Sequence, residues 1–109
     1  MDEYVTKIYE LMYSPIVTPY NLLENAKLDN YDYVNYYKGE IGLIAEMKCF
    51  MDGEEVIFYY CFDENDQLIE IHEEIDGKRV AVFNRNEELD EAKKTYFIKK
   101  QGLLKDDAV

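Results

Sequence analysis

Ile41-Gly42-Leu43-Ile44-Ala45-Glu46-Met47-Lys48-Cys49-Phe50-Met51-Asp52-Gly53-Glu54-Glu55-Val56-Ile57-Phe58-Tyr59-Tyr60-Cys61-Phe62 is the stretch that decides the fold. Ile41, Leu43, Ala45, Met47, Cys49 and Met51 alternate with Gly42, Ile44, Glu46, Lys48 and Phe50. A period of two belongs to a strand with two different faces. Asp52-Gly53 follows, a dipeptide suited to a tight hairpin because both central residues need positive φ. Val56 to Phe62 is then the returning strand, apolar on both faces. A two-residue loop sets Met51 opposite Glu54, Met47 opposite Phe58, Ala45 opposite Tyr60 and Leu43 opposite Phe62.

The pattern continues downstream. Asp63-Glu64-Asn65-Asp66 reads as a polar turn, Leu68 to Ile75 as a third strand, Asp76-Gly77 as a second hairpin and Arg79 to Phe83 as a fourth strand. The same counting pairs Ile71 with Val82 and Glu73 with Val80. One face then collects Leu43, Ala45, Met47, Cys49, Val56, Phe58, Tyr60, Phe62, Ile69, Ile71, Val80 and Val82, and is expected to pack on helices. The outer face collects Ile44, Glu46, Lys48, Ile57, Tyr59, Cys61, Leu68, Glu70, His72, Glu74, Arg79, Ala81 and Phe83. It is more apolar than water alone requires. Either the tyrosine-rich segment or the second helix covers it, or it meets a partner or a second copy of the chain.

Upstream, Asp2 is placed to cap a helix from Glu3 to Tyr13, with Tyr4, Ile8, Leu11 and Met12 on one side and Pro15 ending it. Thr18-Pro19 opens a short second helix to about Leu28, whose apolar side is Leu22, Leu23 and Ala26. Tyr31, Tyr33, Tyr36 and Tyr37 sit in a segment that reads as an edge strand or an extended loop. Asn86 caps a last helix, Glu87 to Gln101, acidic in its first turns and basic at Lys99 and Lys100, in keeping with the helix dipole. Leu89, Ala92, Tyr96 and Phe97 form its expected buried stripe. Gly102 reads as a left-handed cap with Leu103 packed beside it, and the tail from about residue 104 as flexible. The expected fold is α+β: one domain over residues 1–109, an antiparallel meander of four to five strands packed on one face by N-terminal and C-terminal helices.

At 109 residues and 48% hydrophobic, the chain can bury one core without a disulfide or metal staple. Its 24 acids against 12 bases give a net charge of −12. That disfavours nucleic acid and anionic membranes as direct partners and favours a basic protein surface. The opening residues lack a basic and an apolar region, and no apolar run approaches the roughly 20 residues that span a bilayer, so a cytoplasmic protein is expected. Two cysteines make neither a disulfide scaffold nor a zinc motif. The hairpin register points Cys49 inward and Cys61 outward, which forbids a bond between them.

His72 is the one histidine, flanked on its own face by Glu70 and Glu74, with Glu46 and Tyr59 on neighbouring strands. A carboxylate-flanked imidazole can act as a general base or a metal ligand. There is no second histidine, and cross-strand charge pairing on a solvated face accounts for the same residues. Cys61 has acidic neighbours, the wrong environment for an activated thiolate. Asp63, Asn65 and Glu74 match positions one, three and twelve of a calcium loop, but Leu68 stands where that loop needs glycine and the flanks read as strands. No phosphate-cradling loop and no Ser-His-Asp order occurs. No catalytic residue, metal or cofactor is assigned, and an enzyme is not expected.

Charge distribution is the stronger signal. From Cys49 to Gly77 there are ten acids and no lysine or arginine. Such a segment suits electrostatic steering onto a basic surface. Phe58 to Ile69 resembles one hairpin of a tyrosine-aspartate repeat, but such repeats act in arrays and this one occurs once. The expected function is a small acidic protein-binding module, a stoichiometric inhibitor such as an immunity protein, antitoxin or phage-encoded blocker. It would occlude a basic site through Glu46, Tyr59, Asp63, Glu64, Glu70, His72 and Glu74. The alternatives are a homodimeric accessory domain using the apolar outer face, and a nucleic-acid mimic.

Overall fold

A computed structural model describes the backbone of residues 3–107 and the side chains of residues 3–102. It is an α+β fold with a five-stranded antiparallel sheet: β1 (Tyr31–Lys38), β2 (Leu43–Met51), β3 (Glu54–Phe62), β4 (Leu68–Ile75) and β5 (Lys78–Asn84), in that order across the sheet. Helices α1 (Glu3–Tyr13) and α2 (Arg85–Asp107) lie at the two ends of the sequence, and a 3-10 helix (Pro19–Lys27) precedes β1. The chain divides into two compact units, residues 15–84 and the two helical ends.

In the sheet unit, the Asp-Gly turns adopt the conformation their sequence demands. Asp52 and Gly53 have φ of 52° and 78°, Asp76 and Gly77 φ of 52° and 79°. Both residues of each turn are left-handed, the condition for a hairpin that follows the sheet's twist. Met51 accordingly pairs with Glu54, Met47 with Phe58 and Ala45 with Tyr60. The tyrosine-rich segment is a strand, so it adds an edge to the sheet instead of folding over it.

Two bulges alter the expected register. Cys61 pairs with Glu70 but Phe62 with Leu68, so Ile69 is the extra residue. Leu68, expected outside, is 1% exposed in the core, and Ile69, expected inside, turns out. On β5, Ile71 pairs with Phe83 and His72 with Ala81, leaving Val82 unpaired and half exposed. Phe83, expected outside, packs against the core. A bulge opposes two residues to one and so reverses facing from that point on.

The core of this unit is Leu22, Ala45, Met47, Phe62 and Leu68. Its helical cover turns with a period of three. Pro19 and Leu22 are buried, and Asn25 donates its amide to Met47 Sδ at 3.6 Å, whereas Leu23 and Ala26 are exposed. In a 3-10 helix residues i and i+3 eclipse, so the stripe expected from α-helical spacing narrows to one residue per turn. Thr18 and Asn21 form a reciprocal cap at its start. Just before it, Ile16 has φ of 71°, and Val17 N–H donates to the Pro15 carbonyl at 2.9 Å. This is the strained γ-turn, rare for a β-branched residue. The same carbonyl also accepts from Leu68 N–H at 3.2 Å, which ties the turn to the start of β4.

In the helical unit, α1 and α2 run antiparallel. Leu11 and Ala92 are buried. Arg85, 7% exposed, donates from Nη1 to the carbonyls of Leu11 and Ser14, both at 2.7 Å. A buried cation is tolerated only when its donors are used, and here they close the end of α1. Lys99 Nζ lies 4.7 Å from the centre of the Tyr4 ring. Three expectations change. The helix begins at Arg85, so Asn86 is inside it and not its cap. Phe97 is 60% exposed, outside the buried stripe. Gly102 lies within the helix, which takes in the backbone of the tail as far as Asp107. The contacts expected of Asp2 and Leu103 fall outside the described residues. No helix among those described is long and apolar enough to cross a membrane.

Candidate functional site

On the outer face of the sheet, alternate residues align in three rows that cross all five strands. The first is Tyr37, Ile44, Cys61, Glu70 and Asn84; the second Asn35, Glu46, Tyr59, His72 and Ala81; the third Tyr33, Lys48, Ile57, Glu74 and Arg79. The sequence-predicted residues Glu46, Tyr59, Glu70, His72 and Glu74 are thus brought together, with Glu46, Tyr59 and His72 in one row. Asp63 and Glu64 stand apart, in the turn between β3 and β4. Asp63 Oδ1 accepts from the backbone N–H groups of Asn65 at 2.9 Å and Gln67 at 3.0 Å. Its carboxylate shapes that turn.

The carboxylates on the face are held by neighbours. Tyr33 donates its hydroxyl to Glu46 Oε2 at 2.8 Å, and Tyr37 donates to Glu46 Oε1 at 3.3 Å. Desolvation, then the bond to Glu46, pushes the Tyr33 phenol up to about 12. Burial and Glu46 also raise Tyr37. Tyr59 is raised by burial, then by Glu46 and Glu74, with Arg79 opposing. The Arg79 guanidinium lies 3.9 Å over the Tyr59 ring centre, a cation–π contact. Lys48 is tied to Glu55 at 2.9 Å and to Asp32 at 3.7 Å.

At one end of the face a different grouping forms. Asn84 Nδ2 donates to Glu70 Oε1 at 3.2 Å, while Glu70 Oε2 lies 3.0 Å from His72 Nε2. Cys61, directly across from Glu70, completes a set whose donor atoms all lie within 4.8 Å of one another. Burial first, and Glu70 second, raise the Cys61 thiol, with Arg79 opposing. An open cleft of about 240 Å3 borders this set, lined by Ile41, Ile44, Cys61, Ile69 and Glu70 among others. Cys49 is buried on the opposite face, and both thiols are free.

Sequence reasoning missed Tyr33, Tyr37, Asn84 and the association of Cys61 with Glu70. The alternation of Tyr31 to Tyr37 was a visible signal for the tyrosines. The Cys61–Glu70 pairing had none, because a five-residue turn and a bulge separate those strands. Comparison with protein-family models, characterised proteins and solved structures finds no match to the chain.

Proposed function

We propose that the chain is a protein-binding module that docks its outer sheet face on a basic surface of a partner, acting as a stoichiometric inhibitor by occlusion. The observation that supports this reading is the row structure of that face. Glu46, Glu70 and Glu74 are each positioned by a neighbouring side chain and interleaved with Tyr33, Tyr37 and Tyr59. Fixed carboxylates favour a basic partner over an acidic one and speed encounter. Tyrosines supply large contact area at small entropic cost, the composition of binding hot spots. Lys48 and Arg79 are engaged within the face and leave its carboxylates in excess. Self-association through an apolar outer face is the weaker reading, since Leu68 and Phe83 belong to the core.

The test is affinity capture from the native host's lysate with wild-type protein, Tyr59→Ala and the double variant Glu46→Gln, Glu74→Gln. One protein should be retained at stoichiometric level by the wild type, with association slowing as salt rises, because surface charges are screened beyond roughly 8 Å at physiological ionic strength. The double variant should slow association, and Tyr59→Ala should speed release. A partner indifferent to all three substitutions, or a wild type that only self-associates in sedimentation, would refute the reading.

A further inference from the structure

The geometry points to a metal site: Cys61, Glu70 and His72 form a three-ligand set for a zinc-class divalent cation, with a fourth position left for water or an incoming donor from the bordering cleft. The donor set is one thiol, one imidazole nitrogen and one carboxylate oxygen, the ligand types zinc takes in tetrahedral sites. All three come from adjacent positions on rigid strands, Cys61 and Glu70 directly across β3 and β4, Glu70 and His72 two residues apart on β4. Ligands around zinc at about 2.0–2.3 Å lie roughly 3.3–3.8 Å from one another. The three donors already lie within 4.8 Å, and His72 Nε2 is 3.0 Å from Glu70 Oε2. Closing the set takes side-chain rotation and no strand movement.

Two further features fit a bound ion. Asn84 holds Glu70 Oε1, which leaves Oε2 turned toward the other donors, the kind of outer contact that orients a ligating carboxylate. The cleft borders Cys61 and Glu70, so ion and fourth ligand have a way in. On binding, the Cys61 S–H bond breaks, its proton passes to solvent and the thiolate takes up the metal; the hydrogen bond between His72 Nε2 and Glu70 Oε2 breaks, the neutral imidazole takes the tautomer with its proton on Nδ1, and Nε2 and Oε2 each donate a lone pair to the ion. No oxidant or reductant takes part. The site does not depend on the docking reading, since a metal can bind here whether or not a partner does.

Cobalt(II) titration of the reduced protein tests this. One equivalent should produce sulfur-to-cobalt charge-transfer absorption and the visible bands of a tetrahedral ion, and zinc should displace it. Cys61→Ser should abolish the charge-transfer band. His72→Ala and Glu70→Gln should weaken binding at least tenfold, and Asn84→Ala by roughly ten- to a hundredfold. Cys49→Ala should leave the band in place. Without any substitution, zinc should protect Cys61 of the folded wild type from alkylation, read by peptide mass. Absence of the band in the folded wild type, its survival in Cys61→Ser, or alkylation of Cys61 unaffected by zinc would each overturn the proposal.

Discussion

The two faces of the sheet are built from the same strands and solve different problems. The inner face has Ala45, Met47, Cys49, Phe62 and Leu68 nearly or wholly excluded from water, and its polar contacts are few. The outer face is half-buried by its own neighbours, and the contacts described on it join charged groups to polar, aromatic or oppositely charged ones. Burial stabilises in proportion to apolar area, whereas exposed ion pairs and hydrogen bonds contribute about a kilocalorie or less each. The inner face therefore carries stability, and the outer face can vary its chemistry with little effect on folding.

The sharpest way to break this division is Phe62→Ala. Deleting a fully buried ring leaves a cavity, and a loss of about 3–5 kcal/mol is expected in urea denaturation. A loss below about 1 kcal/mol would mean that the inner face is not the core. Next comes the pair of neighbours at the β4 bulge. Leu68→Ala should cost about 2–5 kcal/mol and Ile69→Ala under about 1.5 kcal/mol, because only the first side chain is enclosed. Equal losses would place the bulge elsewhere.

The smallest effect is on the outer face. Glu46→Gln should change stability by no more than about 0.5 kcal/mol, yet bring the Tyr33 phenol down from about 12 toward its ordinary value, as read by phenolate absorbance. The sign is fixed by the neutral phenol being the favoured folded form. Its contribution to stability is complete below pH 10 and is lost as pH rises through about 12. A Tyr33 titration unmoved by the substitution would show that Glu46 does not hold it.

The same division explains how much could be read from the sequence. The β2–β3 hairpin was legible because Asp52-Gly53 fixes both the turn and the register. The pairing of Glu46 with Tyr59 followed from alternation once those two strands were aligned. Beyond the next turn legibility fails for a physical reason: each bulge inserts one residue, and with a period of two this exchanges the faces. Leu68 for Ile69 and Phe83 for Val82 are both exchanges of that kind. The 3-10 helix was misread because Leu22, Leu23 and Ala26 satisfy an α-helical stripe equally well on paper. Gly102 was misread because a glycine signals the end of a helix only where its φ is positive, a property of the fold and not of the residue type.

The bond from Arg85 to the end of α1 spans 74 residues of sequence to Leu11 and 71 to Ser14. Between those points lie the 3-10 helix and the meander, whose strand pairings join neighbours along the chain. The helical pair is thus a late-arriving structure. While the polypeptide is being made, α1 leaves the ribosome before the strands, and the partner it packs against is encoded beyond the last of them. The meander's residues are all present before that partner appears. Closing a loop of this length has an entropic cost that grows only slowly with length. α1 precedes the meander in the chain, yet its packing against α2 can form only after the meander's residues have been made.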